Sequence, residues 1–127
     1  MDLFDVSPTS MWLEDYSALK TLFDEWRSQG VTDIRSHLRA DPRHIAQCAG
    51  SIRLLRVNPR TLQLYGASTF EQLAEQLAAV LRDDIHSGYI DELEQLWSGL
   101  GRFQSKTVNY ALDGRRLDLL LKGVVLP

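Results

Sequence analysis

The sequence predicts an α+β domain, with helices through the first three-quarters of the chain and an antiparallel hairpin at its end. Three observations carry this. Before residue 100, apolar residues recur at spacings of three and four in several separate stretches. Asp41-Pro42 and Asn58-Pro59 each set a capping side chain ahead of a proline at the first helical position. From residue 102 onward apolar and polar residues alternate on both sides of Asp113-Gly114, a strong hairpin signal that expects positive φ at both turn residues.

In chain order, residues 8–16 read as a short strand whose apolar content is Trp12 and Leu13. Asp15 or Ser17 then caps a helix in which Tyr16, Leu19, Phe23 and Trp26 share one face, and Gly30 ends it. Thr32 caps a second, short helix carrying Ile34 and Leu38, and Asp41-Pro42 opens a third through Ile45, Cys48 and Ala49. Gly50 breaks that pattern, and residues 52–57 read as a strand. Asn58-Pro59 starts a helix holding Leu62, Leu64 and Tyr65, which stops at Gly66. Ser68 and Glu71 form a capping box for a helix whose stripe is Phe70, Leu73, Leu77 and Val80. A further helix over about 87–99 turns Tyr89, Ile90, Leu93, Leu96 and Trp97 inward, and Gly99 and Gly101 end the helical part. Residues 102–112 and 115–126 are the arms of the hairpin. On the second arm Leu117, Leu119, Leu121 and Val125 share one face, and Asp118, Leu120, Lys122 and Val124 the other.

Composition excludes several function classes. The 127 residues fit one domain, and 14 Lys and Arg against 17 Asp and Glu leave a net charge of −3. A weakly acidic chain lacks the broad positive surface that a phosphate backbone requires, so no nucleic-acid partner is expected. Cys48 is the sole cysteine, which removes any internal disulfide framework and suits a reducing compartment. No apolar run approaches the roughly 20 residues of a membrane span. Met1-Asp2-Leu3-Phe4-Asp5 is acidic where a secretory leader is basic, and the expected location is cytoplasmic.

The stretch Leu55-Arg56-Val57-Asn58-Pro59-Arg60-Thr61-Leu62-Gln63-Leu64-Tyr65-Gly66-Ala67-Ser68 runs a strand into an Asn-capped short helix that ends at a glycine, and a Ser/Thr-capped helix follows. This order resembles the PAS domain. Phe70-Glu71-Gln72-Leu73 resembles the Glu-Glu-Leu of the family's next helix, and the helix near 87–99 and the hairpin at Leu112-Asp113-Gly114-Arg115-Arg116 match the elements after it. The resemblance covers about two-thirds of the chain. Residues 11–17 and 30–35 are similar to a subset of bacterial sensory PAS domains, with Met-Trp-x-Glu-Asp-x-Ser, a helix and Gly-Val-Thr-Asp-x-Arg. Such domains sit ahead of histidine-kinase or cyclic-dinucleotide output domains. The resemblance implies one PAS-like domain over 1–127, with an N-terminal strand and helical extension over 1–50 and a PAS core over 51–127. It implies an antiparallel sheet flanked by helices, with a helical insertion between the first two strands. A PAS sheet has five strands and ends near an Asp-Ile-Thr motif. Four are visible here, about 11–15, 52–57, 102–112 and 115–126, so the last is apparently missing.

The resemblance also points to a ligand pocket. Trp12, Tyr65, Trp97, Val108, Tyr110 and Leu119 come from elements that surround the PAS cavity, with Glu14, Asn58 and Asn109 as polar candidates; Asn58 reads first as a helix cap. No catalytic or metal residue is expected. His37, His44 and His86 show no histidine pair at i, i+4, and no Cys or Glu completes a ligand set. His86 precedes the helix that supplies the axial ligand in haem-binding PAS domains, but reads as a surface histidine beside Asp83 and Asp84. Cys48 lies before the second strand, outside the Asn-Cys-Arg-Phe-Leu type of motif of flavin-adduct PAS domains, and reads as a small core residue. Neither haem nor a flavin adduct is therefore expected. Asp91, Glu92 and Glu94 read as a solvated helix face, and Arg53, Arg56, Arg60, Arg115 and Arg116 as edge and turn charge.

The expected function is a sensory or signalling module of a larger bacterial protein, binding a small ligand or a partner and relaying the change to a C-terminal output domain. The stripe Phe4, Leu13, Leu19, Phe23 and Trp26 either covers the sheet or forms a homodimer contact. The alternative is a small cone-shaped α+β enzyme of the isomerase or dehydratase type. That class needs a long curved sheet of about six strands and a buried Asp or His as base.

Overall fold

A computed structural model describes residues 2–76 and 85–125. The order is α1 (Leu3–Val6), β1 (Trp12–Asp15), α2 (Ser17–Ser28), α3 (Ile34–Ala40), α4 (Pro42–Gly50), β2 (Arg53–Val57), α5 (Pro59–Tyr65), α6 (Phe70–Glu75), α7 (Ile85–Trp97), β3 (Arg102–Tyr110) and β4 (Arg116–Val124). The domain is α+β, and three helices separate the first two strands. Leu77, Val80, Asp83, Asp84, Leu126 and Pro127, together with the side chains of His86 and Leu121, lie outside the described residues.

The strands pair only locally. β1 runs antiparallel to β2, with Trp12 opposite Val57 and Asp15 opposite Arg53, and the register shifts between Leu13 and Glu14. β3 runs antiparallel to β4 without interruption, from Arg102 opposite Val124 to Tyr110 opposite Arg116. Among the described residues these are two separate two-stranded sheets rather than one continuous sheet.

The caps explain most of the boundaries. Asp41 accepts from the Arg43 N–H and Asn58 from the Thr61 N–H, each ahead of its proline. Gly66, at φ 70°, closes α5 as a left-handed cap, with the Ala67 N–H returning to the Leu62 carbonyl. Two caps lie one residue beyond the expected place. Asp33, not Thr32, caps α3, because its carboxylate reaches both the Ser36 N–H and the Ser36 hydroxyl. Thr69 and Gln72, not Ser68 and Glu71, close the start of α6. The Gln72 N–H donates to Thr69, and the Ser68 N–H to the Gln72 side chain. The hairpin also differs from expectation. The Gly114 N–H donates to the Ala111 carbonyl around Leu112 and Asp113, and Gly114 follows at φ 90°, so the connection is a three-residue loop.

Among the described residues, two hydrophobic clusters form the core. The larger joins Leu19, Phe23 and Trp26 of α2 to α3, α4 and the Tyr89–Leu93 face of α7. Leu19, Phe23 and Trp26 are thus spent among helices, neither covering a sheet nor facing solvent. The smaller centres on Tyr65 and Leu73, with Trp12 and Val57 from the first sheet and Leu117 and Leu119 from the second packed around them.

Asn58 ties the N-terminal segment to this frame. Its Oδ1 accepts from the N–H groups of Met11 and Thr61 and from the Thr61 hydroxyl, and its Nδ2 donates to the carbonyls of Phe4 and Thr9. The side chain is fully buried and fully used. Arg56 reinforces the same contact, pairing with Asp2 and Asp5 and lying over the Phe4 ring. The short helix α1 had no signal of its own in the periodicity.

Candidate functional site

Four of the expected pocket residues meet at the smaller cluster. Tyr65 is placed by the Asn58–Gly66 caps of α5, and its ring stands edge-on to Trp12, with centroids 5.3 Å apart. Asn109 reaches it from β3, its Nδ2 donating to the Tyr65 hydroxyl at 2.8 Å with both side chains buried. Leu119 of β4 packs against the same Tyr65–Leu73 cluster. The turn of the hairpin is anchored there, because the Leu112 N–H donates to the Tyr65 carbonyl and Arg115 to the Leu64 carbonyl, using up C-terminal acceptors of α5. Trp12 is held in turn by its indole N–H on Ser10, whose hydroxyl meets Thr61.

The other expected residues lie elsewhere. Val108 and Tyr110 flank Asn109 along β3 and so fall on the opposite strand face. Trp97 belongs to the α2–α7 contact. Its ring stands edge-on to Phe23 at 5.2 Å, and Arg27 lies over it while donating to its carbonyl. It borders a surface groove of about 530 Å³ shared with Thr32, Asp33, Glu94 and Ser98. The two carboxylates of that groove are already engaged, Glu94 by Arg35 and Asp33 by Ser36.

Glu14 stands in a second constellation, with Glu92, Tyr16 and Tyr89. The Tyr16 hydroxyl donates to Glu92 Oε1 at 3.3 Å, and Glu92 is only 7% exposed. Among the described residues neither carboxyl group meets a cation within 4.0 Å. Burial, with Glu14 beside it, pushes Glu92 up to about 8, and burial pushes Glu14 up to about 7. Burial and the two carboxylates likewise hold the Tyr16 and Tyr89 hydroxyls firmly protonated. Glu92, in the core, is thus biased toward its protonated form near neutral pH, with half-buried Glu14 beside it.

Glu92 overturns the reading of Asp91, Glu92 and Glu94 as one solvated face. Asp91 and Glu94 do face outward, where both pair with Arg35. Glu92 falls three residues after Tyr89 and four before Leu96, within the apolar stripe, and that spacing was the signal in the sequence. Ser105 was also missed. It shares the inner face of β3 with Phe103 and Asn109, is 5% exposed, and its hydroxyl has no partner among the described residues.

No protein-family model, no curated protein and no solved structure matches this chain.

Among the described residues no group of three or more His, Cys, Asp or Glu side chains is placed to hold a metal ion. Cys48 is fully buried in the helical cluster, and burial pushes its thiol up to about 12, which keeps it from acting as a nucleophile at neutral pH. Arg56 and Arg115 have internal partners, and Arg116 pairs with Asp118. No helix of the described residues is long and apolar enough to cross a membrane.

Proposed function

We propose that this chain is a PAS-like sensory module of a bacterial signal-transduction protein, cytoplasmic in location, that binds a small ligand or a partner and relays the change to an output domain. One observation carries the reading. Trp12, Tyr65, Asn109 and Leu119, which lie far apart in the sequence, converge at one buried hydrogen bond between α5 and β3, with a sheet on either side. Such an arrangement couples the spacing of the two sheets to whatever occupies or distorts the Tyr65 cluster. A ligand acts there only through different affinities for two arrangements of the sheets. The element order agrees with the resemblance from β2 onward, and three helices lie between β1 and β2. In this reading a further strand paired with both sheets would join them into one.

The test is native mass spectrometry of the purified protein, with a denatured spectrum and an absorbance scan of the same sample. A mass excess that vanishes on denaturation, and is lost in Tyr65→Ala but not in Trp97→Ala, supports a ligand at this cluster. A native mass of the bare chain, together with unchanged sheet resonances on screening small apolar metabolites, overturns the ligand half. A mass of twice the chain supports a homodimer.

The alternative, a cone-shaped isomerase or dehydratase, is favoured by Glu92 as a buried acid with half-buried Glu14 beside it. The long curved sheet it needs is not formed by β1–β2 and β3–β4, which stay two separate pairs among the described residues.

A further inference from the structure

α3 and α4 meet at Asp41, and the rings of His37 and His44 lie face to face across that corner. Their centroids are 3.9 Å apart and their planes 12° from parallel. Trp26 of α2 stands edge-on to both, 4.5 Å from His37 and 5.5 Å from His44. His44 Nδ1 is 2.7 Å from the His37 carbonyl oxygen; a carbonyl only accepts, so this nitrogen carries its proton. His37 Nε2 is shut away from solvent with no hydrogen-bond partner among the described residues. Whichever tautomer neutral His37 holds, its imidazolium places an N–H at Nε2 with nothing to accept it.

The charges around the corner do not relieve that cost. α2 presents the Trp26 indole. Its Asp24 and Arg27 pair with each other, and Lys20 and Glu25 are exposed. On α3, Arg35 is turned to Asp91 and Glu94 of α7, Arg39 is exposed, and Asp33 at its N-cap is engaged by Ser36. On the α4 side, Asp41 interacts with His44 but is already clasped by Arg43. No carboxylate among the described residues lies within 4.0 Å of His37.

We propose that the His37–His44 pair is a pH-operated latch: with at most one ring charged it holds the α3–α4 corner on Trp26, and with both charged the corner comes away from α2. Two imidazolium rings at stacking distance repel, and only His44 has a carboxylate beside it. Burial, and then the charge of His44, hold His37 below the ordinary histidine value. The sign follows. The unfolded chain takes up this proton near pH 6.5 and the folded chain only at lower pH. The stability tied to the neutral ring is therefore complete above that value and is lost as pH falls below it. The latch requires no ligand and stands apart from the sensory reading.

The decisive experiment is a histidine-ring NMR titration of the full chain, with melting curves of the parent and His37→Phe at pH 7 and pH 5. Phenylalanine keeps a flat ring against Trp26 and removes the titration. Three results are expected. His37 titrates below the free-histidine value, it moves back toward that value in His44→Phe, and the Trp26 indole resonance shifts with it. The unfolding equilibrium constant should also rise more in the parent than in His37→Phe between the two pH values. His37 titrating at or above the free value, or the two proteins sharing one pH dependence, overturns the proposal. Where His37→Phe does not fold, the titration of the parent alone decides.

Discussion

Asn58 leaves none of its side-chain hydrogen-bonding positions to solvent, so its replacement acts at several places at once. Asn58→Ala removes the α5 cap and leaves the carbonyls of Phe4 and Thr9 and the N–H of Met11 without partners. A lost cap costs about 1 kcal/mol, and each newly unpaired, part-buried group adds up to about 1 kcal/mol. Denaturant unfolding should therefore show a loss of roughly 3 kcal/mol. Glu92 makes a different residue-scale prediction. The folded state binds its proton more tightly than the unfolded chain does, so the stability it contributes is full below about pH 4.5 and is lost progressively as pH rises to about 8. The parent should lose on the order of 3 kcal/mol between pH 5 and pH 9 from this source. Glu92→Gln, neutral throughout, should flatten that slope in melting curves taken across the range. His37 bends the same curve the other way, but only below about pH 6.5.

At the scale of elements, the hairpin depends on one small residue. Gly123 faces Phe103 across the ladder, and a Cβ built there falls 2.0 Å from the phenylalanine ring. The ring occupies the space a side chain would need. Gly123→Val must displace Phe103, which is buried over that position. Overpacking of this kind costs about 1–3 kcal/mol. Because α7 packs along β3, the loss should appear as faster amide exchange in both elements. The elements were legible wherever a boundary has its own local chemistry. Asp41-Pro42, Asn58-Pro59 and Gly66 mark helix ends within a residue, since cap and proline act on neighbouring backbone alone. Asp113-Gly114 located its turn but not its length, because a three-residue loop and a two-residue loop both accept that pair.

For the molecule as a whole, the helical cluster built on Leu19, Phe23 and Trp26 joins α2, α3, α4 and α7. Trp26→Glu should accordingly abolish the folding transition seen by circular dichroism; a folded variant of altered association state would contradict this placement. Long-range pairing is what the sequence did not reveal. Alternation identified four strands, yet nothing in residues 53–57 or 116–124 encodes that they belong to different sheets. The site was half legible for the same reason. Trp12, Tyr65, Asn109 and Leu119 converge as their element order suggests, while Val108 and Tyr110 fail on strand parity and Trp97 on helix-face rotation. Glu92 escaped because its two acidic neighbours face water and it does not.

The Gln95 side chain of α7 donates to the Gln104 carbonyl at 2.8 Å and accepts from the Gln104 N–H at 2.9 Å. A single amide thus imitates one rung of a neighbouring strand and occupies the Gln104 position of β3. A chain arriving at this edge finds its first docking positions already taken. In concentrated solution, a strand pairing along this stretch of β3 would have to displace the Gln95 amide to reach Gln104, and replacing Gln95 with alanine would leave that rung open.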